Sequence, residues 1–328
     1  MRIVTGIRPT GKLHIGNYLN TVKRYTELQD ENECVFFIAD LHGLTTPYNQ
    51  EKYKEEVKEK AIDIIASGLD PEKCVIYIQS HIQEVSELTW LLSTVTPAGD
   101  LRRMTQFQEK SKKQPKDVNA GLLNYPILMA ADILIQRADK VPVGKDQEQH
   151  LELTRTIARK FNNKFEETFK EPEGLILESS AKIMSLQDPK KKMSKSDPDQ
   201  TRIGMFDKPE TLRKKIMSAV TDTGKEIKYN PKKKPGISNL LTIYSIIDNK
   251  EIKETEKEFK EKSYKEFKES LAKLLINKFE PFRRKKEEIL SRDSYIEEIL
   301  EKGAKRARII AQSTTEEVKK KMGLLEIR

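Results

Sequence analysis

Apolar residues in this chain fall in short runs that alternate with longer periodic stretches. RIVTGI from Arg2, CVFFIAD from Cys34, CVIYIQS from Cys74 and KVPVG from Lys140 read as strands. Between them, residues 14–29, 51–67 and 120–137 repeat apolar positions at helical spacing. Strand and helix in alternation predict a parallel sheet with helices on both faces, the arrangement in which ligands bind at the carboxyl ends of strands. After about residue 209 the strand signals fade. Lys/Glu-rich text such as KETEKEFKEKSYKEFKESLAKLLINKF then predicts helices to the end.

The pattern is therefore α/β: a Rossmann-type parallel-sheet nucleotide-binding domain with a second, smaller all-helical domain. A length of 328 residues suits that division and gives a sizeable core. Charge changes the picture, because the net +9 is unevenly spread. Residues 182–234 carry 15 basic and 7 acidic side chains, whereas 1–181 carry 24 and 27. Such a segment is either a solvated face or the footprint of a phosphate-bearing partner. The two cysteines, Cys34 and Cys74, lie in strand-like runs without metal-ligand spacing, which predicts buried, reduced thiols. No apolar stretch is long enough to span a bilayer, and a first strand at Arg2 leaves no room for a signal or transit peptide, so the expected compartment is the cytoplasm.

Two stretches carry candidate chemistry. RPTGKLHIGN, Arg8 to Asn17, follows the first strand. Pro9 and Gly11 shape a turn there, Gly16 removes a side chain beside the first helical turn, and His14 offers an imidazole at a helix end that favours negative charge. An ordinary strand–turn–helix with two turn glycines has the same text. KKMSKSDPD, Lys191 to Asp199, sets Lys192 and Lys195 three apart in a polar, loop-like stretch, a suitable clamp for a polyphosphate.

HIGN followed far along the chain by KMSKS is the paired signature of class I aminoacyl-tRNA synthetases. With GIRPTGKLHIGNYL, IADLHGLT, RMTQFQEKS, GLLNYPILMAADIL, VPVGKDQEQHLELTR, KMSKSDPD and KPGISNLLTIYS, the chain resembles the bacterial tryptophanyl branch of that family from Gly6 to Ser245. The resemblance implies ATP-dependent activation of L-tryptophan to the adenylate with release of pyrophosphate, then transfer to the 2′-OH of the terminal adenosine of tRNA(Trp). It also implies a homodimer with no membrane or DNA partner, ATP as substrate, and Mg²⁺ held mainly by the ATP phosphates. The tyrosyl branch shares both signatures and GKDQ, and a catalytically idle paralogue is the rival from another class.

Residue roles follow from the same comparison. Tyr125, Met129 and Asp132 share one face of the 120–137 helix. Asp132 is expected to accept from the indole N–H, with Val4, Gly6, Met129, Val141 and Val143 as apolar lining and His42 flanking the ring. Without the family, a donor from the protein would be the expected partner of Asp132. Tyr125 and Gln147 are assigned the amino-acid backbone. For ATP, the first turn supplies Pro9, Thr10, Gly16 and Asn17, and the later loop supplies Gly144, Lys145 and Asp146. Asp146 is assigned the ribose, although capping the following helix is its alternative. Ile183 and the Met193 backbone are expected at the adenine, with Ser194 and Ser196 beside the two lysines. Lys192, Lys195, His14 and Lys110, the last read as lying in a loop, are the candidates that stabilise charge. Arg8 stands where many relatives have glutamine, and both the ATP phosphates and tryptophan remain open as its partner. Asn17 and Asn20 also depart from the commoner pattern. Domain limits are expected at 1–185, with an insertion near 100–120, then 186–290 as an anticodon-binding helical part, and 291–328 as helices packing back on the first domain.

Overall fold

The computed structural model describes the chain except residues 114, 116, 117, 145, 146, 177–181, 195, 196, 293 and 326–328, and for residues 113 and 176 the backbone alone. Five strands, β1 (Arg2–Ile7), β2 (Glu33–Ile38), β3 (Cys74–Ile78), β4 (Lys140–Val143) and β5 (Glu173–Ile176), form one sheet in the order β3-β2-β1-β4-β5. Every pairing is parallel. The fifth strand, EGLI, carries no apolar run and is absent from the sequence reading. Alternate residues feed two cores. Ile3, Phe36 and Ile76 pack with Ile15, Ala61, Leu240 and Leu271 on one face. Val4, Val35 and Tyr77 pack with Leu88, Leu134 and Phe161 on the other.

Local chemistry explains the helices beside the sheet. Asn49 caps Gln50–Ala66 by accepting from the N–H groups of Glu51 and Lys52, and Asn119 caps Ala120–Ile135 by accepting from Leu122. Ser263 and Glu266 close a reciprocal capping box on Tyr264–Leu290. Lys110 lies on a helix, Thr105–Lys113, which corrects the loop expected from its polar text. Phe107 supplies the apolar contact that anchors this helix on the core. Cys34 and Cys74 are free, buried and directly opposite in the β2–β3 register. No helix among the described residues is long and apolar enough to cross a membrane.

Because β1 connects to β2 on one side and lies beside β4 on the other, a crevice opens where the strand order reverses. The opposite edge, β3, is closed by helix Tyr295–Lys321, whose Ala304, Ala307 and Ala311 join the core beside Tyr77. Arg306 donates to the Cys74 carbonyl at 3.4 Å. A Cβ at Gly303 would stand 1.8 Å from the Ile76 carbonyl oxygen, so only glycine lets the helix approach so closely. Gly303→Val is therefore expected to push the helix off the strand and to destabilise the fold by about 1–3 kcal/mol or more. Urea unfolding that leaves the midpoint unchanged would refute that packing.

Candidate active site at the strand crossover

At the carboxyl ends of β1 and β4 a cavity of ≈ 500 Å³ is walled by both strands and by helix Ala120–Ile135. Its floor is Asp132, which is 1% exposed. A carboxylate so placed needs donors. Gln79 provides Nε2 at 2.8 Å from each carboxylate oxygen, and His42 donates from Nε2 to Oδ2 at 2.9 Å. Among the described residues these contacts occupy three of the four lone-pair positions of the carboxylate. Burial pushes the Asp132 carboxyl above its ordinary range, and the His42 and Gln79 hydrogen bonds oppose that rise. Gln79 also accepts from the His42 backbone N–H at 3.4 Å, which fixes its amide orientation.

All nine positions expected around tryptophan line this one cavity: Val4, Gly6, His42, Tyr125, Met129, Asp132, Val141, Val143 and Gln147. Gly6 has a packing reason as well, since a Cβ there would lie 2.4 Å from the Phe37 ring. Tyr125 shares its hydroxyl with Nε2 of buried His150 at 2.7 Å and donates to Gln106 at 3.2 Å. Among the described residues two cations stand at the same cavity, Arg8 and Lys110. Lys110 Nζ sits 4.6 Å from the centre of the Tyr125 ring. Burial, aided by the Arg8 charge, pushes the Lys110 ammonium down to about 8, and burial also lowers Arg8. Two like charges in a half-buried site favour an anion between them.

The turn after β1 meets the cavity through Arg8 and Asn17, and the loop after β4 through Gly144. His14 is the N-cap of the first helix: its Nδ1 accepts from Gly16 N–H at 3.1 Å, which leaves the proton of a neutral ring on Nε2. Gly16 gives that ring its space, because a Cβ would stand 3.0 Å from His14 Cε1. Both asparagines that depart from the family pattern bond to the backbone. Asn17 Oδ1 accepts from His14 N–H at 3.3 Å, and Asn20 donates to the Gly16 carbonyl at 2.8 Å, inside the π-helical turn Tyr18–Val22.

Pro9, Thr10, His14, Gly16, Ile183, Lys192, Met193 and Ser194 lie outside the cavity wall, yet the second motif is brought to the first. Residues 183–193 form a tight hairpin in which Met193 N–H donates to the Ile183 carbonyl at 3.0 Å, with both side chains buried and Lys192 exposed. That bond occupies the Met193 N–H which a bound base could otherwise have used. The Ile183 Cβ stands 4.0 Å from where a Gly16 Cβ would be. Farther on, Ile15 N–H bonds to Ile203 at 2.9 Å and Met205 N–H to Leu13 at 3.1 Å. Lys145, Asp146, Lys195 and Ser196 lie outside the described residues. Gln79, Gln106 and His150 were not foreseen. Gln79 had one signal, a polar residue at the carboxyl end of an apolar strand.

Comparison with known proteins agrees with this geometry. Residues 1–280 match the family model described as tRNA synthetases class I (W and Y). A protein of Caldanaerobacter subterraneus subsp. tengcongensis named tryptophan–tRNA ligase is 47% identical over 99% of this chain and 98% of its own length. One of the same name from Helicobacter pylori is 44% identical over 99% of both chains. The crystal structure of Campylobacter jejuni tryptophanyl-tRNA synthetase complexed with ADP and tryptophan superposes with a TM-score of 0.88 at 38% identity, covering 99% of this chain and 100% of that one. With a matching family model over most of its length and near full-length relatives on the same fold, this chain belongs to the class I tRNA synthetases of the W and Y family.

Proposed function

We propose that this protein is a cytoplasmic tryptophan–tRNA ligase working as a homodimer. It activates L-tryptophan with ATP and passes the aminoacyl group to the 2′-OH of the terminal adenosine of tRNA(Trp). The observation that carries the reading is Asp132, a buried carboxylate with one acceptor position left over from Gln79 and His42 at the floor of a largely apolar cavity. An indole N–H donates and cannot accept, so it suits that position. The name of the Caldanaerobacter relative and the ligands of the Campylobacter structure support the choice of substrates.

The amino-acid carboxylate is ionised at neutral pH, so its attack on the α-phosphate needs no general base. What the site supplies is orientation and charge. Val4, Met129, Val141 and Val143 enclose the indole, and Tyr125 and Gln147 hold the amino-acid backbone. Gly16, Asn17 and Gly144 admit the nucleotide, with Asp146 on the ribose and Ile183 against the adenine. As negative charge moves onto the phosphate oxygens and the departing pyrophosphate, His14 Nε2–H, Lys110, Lys192 and Lys195 stabilise it. These groups are lysines and a ring N–H, donors with no carboxylate among them, which fits Mg²⁺ carried in on the ATP better than a cation chelated by the protein. When bound, that ion neutralises phosphate charge. The helical part, with the basic 182–234 segment at its root, provides the surface for the tRNA anticodon.

ATP–pyrophosphate exchange measured with each of the twenty amino acids tests the function, and only tryptophan is expected to support it. Exchange driven by tyrosine, or by no amino acid, would overturn the reading. Asp132→Ala is expected to weaken tryptophan binding and to erode a discrimination against phenylalanine on the order of 10⁴. Competition kinetics that show unchanged selectivity would remove Asp132 from recognition.

Lys110 generates a pH prediction. Its ammonium is held at about 8 in the free enzyme, so it is intact below that pH and lost above it. Bound phosphate favours the charged form. KM for ATP is therefore expected to rise about tenfold between pH 7 and 9. In Lys110→Met that rise should vanish and KM at pH 7 should already be high. A pH profile identical in the two proteins would exclude the role.

A further inference from the structure

Helix Gln50–Ala66 buries a lysine that the chemistry above does not use. Lys60 is 2% exposed, and its ammonium donates to the carbonyl of Gly11. An ammonium in such a place is costly unless its donors are satisfied, and burial pulls its pKa below the ordinary range. Gly11 is the one residue of the RPTGKLHIGN turn in the left-handed region, at φ 76°. Its carbonyl direction therefore governs how the chain passes from Pro9 to the His14 cap.

A second lysine keeps Lys60 on that task. Asp63, on the same helix and 3% exposed, is a nearby negative charge that attracts Lys60. Asp63 is already engaged, because Lys286 from helix Tyr264–Leu290 reaches its Oδ1 at 2.7 Å and Glu59 at 2.9 Å. Lys286 Nζ also lies 4.7 Å from the centre of the Phe206 ring. Phe206 follows Met205, whose N–H bonds to Leu13 inside the same turn region at 3.1 Å. Two lysines from two helices thus converge on the support of one turn.

We propose that Lys60 is a positioning residue for adenylate formation: it fixes the Gly11 carbonyl, and with it the turn that sets His14 and the first helix against the ATP phosphates, while Lys286 occupies Asp63 so that Lys60 stays on Gly11. This rests on the ligase reading. Misplacing catalytic groups by about 1 Å costs on the order of 10² in rate, so a large kinetic effect follows from a residue that touches no substrate.

The test is pyrophosphate exchange by the full chain, with folding of each variant checked by circular dichroism. Lys60→Met is expected to lower kcat about 10–100-fold and to raise KM for ATP, while KM for tryptophan stays within about twofold. Lys60→Arg should recover most of the activity, because a cation can still reach the carbonyl. Lys286→Met should produce the same ATP-specific defect in milder form. A folded Lys60→Met with unchanged kcat and ATP KM, or one that weakens both substrates equally, overturns the proposal. If Lys60→Met fails to fold, Lys286→Met decides, and wild-type kinetics there overturn it. A wild-type protein inactive with every amino acid would instead overturn the ligase reading.

Discussion

Two main-chain hydrogen bonds, from Ile15 to Ile203 and between Met205 and Leu13, fasten the turn after β1 to a segment far along the chain. Through them the two signature motifs become neighbouring parts of one surface. Loop-closure entropy grows only slowly with the length of the loop, so joining such distant segments costs little more than joining near ones. The junction also sets where the hairpin 183–193 sits, since Leu186 N–H bonds to the Thr201 carbonyl and that hairpin brings Ile183 to Gly16. Without the pairing, the cap of the first helix and Lys192 would have no fixed relation.

From that junction inwards, the site divides its electrostatics by depth. Cations, Arg8 on the turn after β1 and Lys110 on helix Thr105–Lys113, line the cavity wall. A deeply buried carboxylate, Asp132, lies at the floor, held by Gln79 and His42. Keeping them apart matters, because Lys110 or Arg8 within reach of Asp132 would pair with it and close its remaining acceptor position. Gln79 and His42 satisfy the carboxylate partly and leave one acceptor position over.

The sheet was legible where strands are apolar on both faces, as in CVFFI and CVIYI, because burial on two sides writes itself as a continuous run. EGLI escaped notice because its first two residues, a glutamate and a glycine, carry no strand signal and pairing with β4 alone makes it a strand. Thr105–Lys113 read as a loop since only Phe107 among its nine residues is strongly apolar. The faces of Tyr125, Met129 and Asp132 followed from helical spacing, and the family resemblance named the remaining lining positions. What spacing cannot encode is who meets whom across elements. Gln79 on Asp132, His150 on Tyr125 and the opposition of Cys34 to Cys74 are products of register and packing, which residues 53 or 25 or 40 positions apart do not announce.

Helix Tyr295–Lys321 gives the sheet its cover at β3, yet it lies more than two hundred residues after that strand. During synthesis β3 emerges long before the helix that shields it. Until Gly303 and Ala307 have left the ribosome, the outer edge of the strand is an open template for pairing with other chains. A chain stalled or cut before that point would be a seed for aggregation, so late completion makes the final helix a quality gate on the whole molecule.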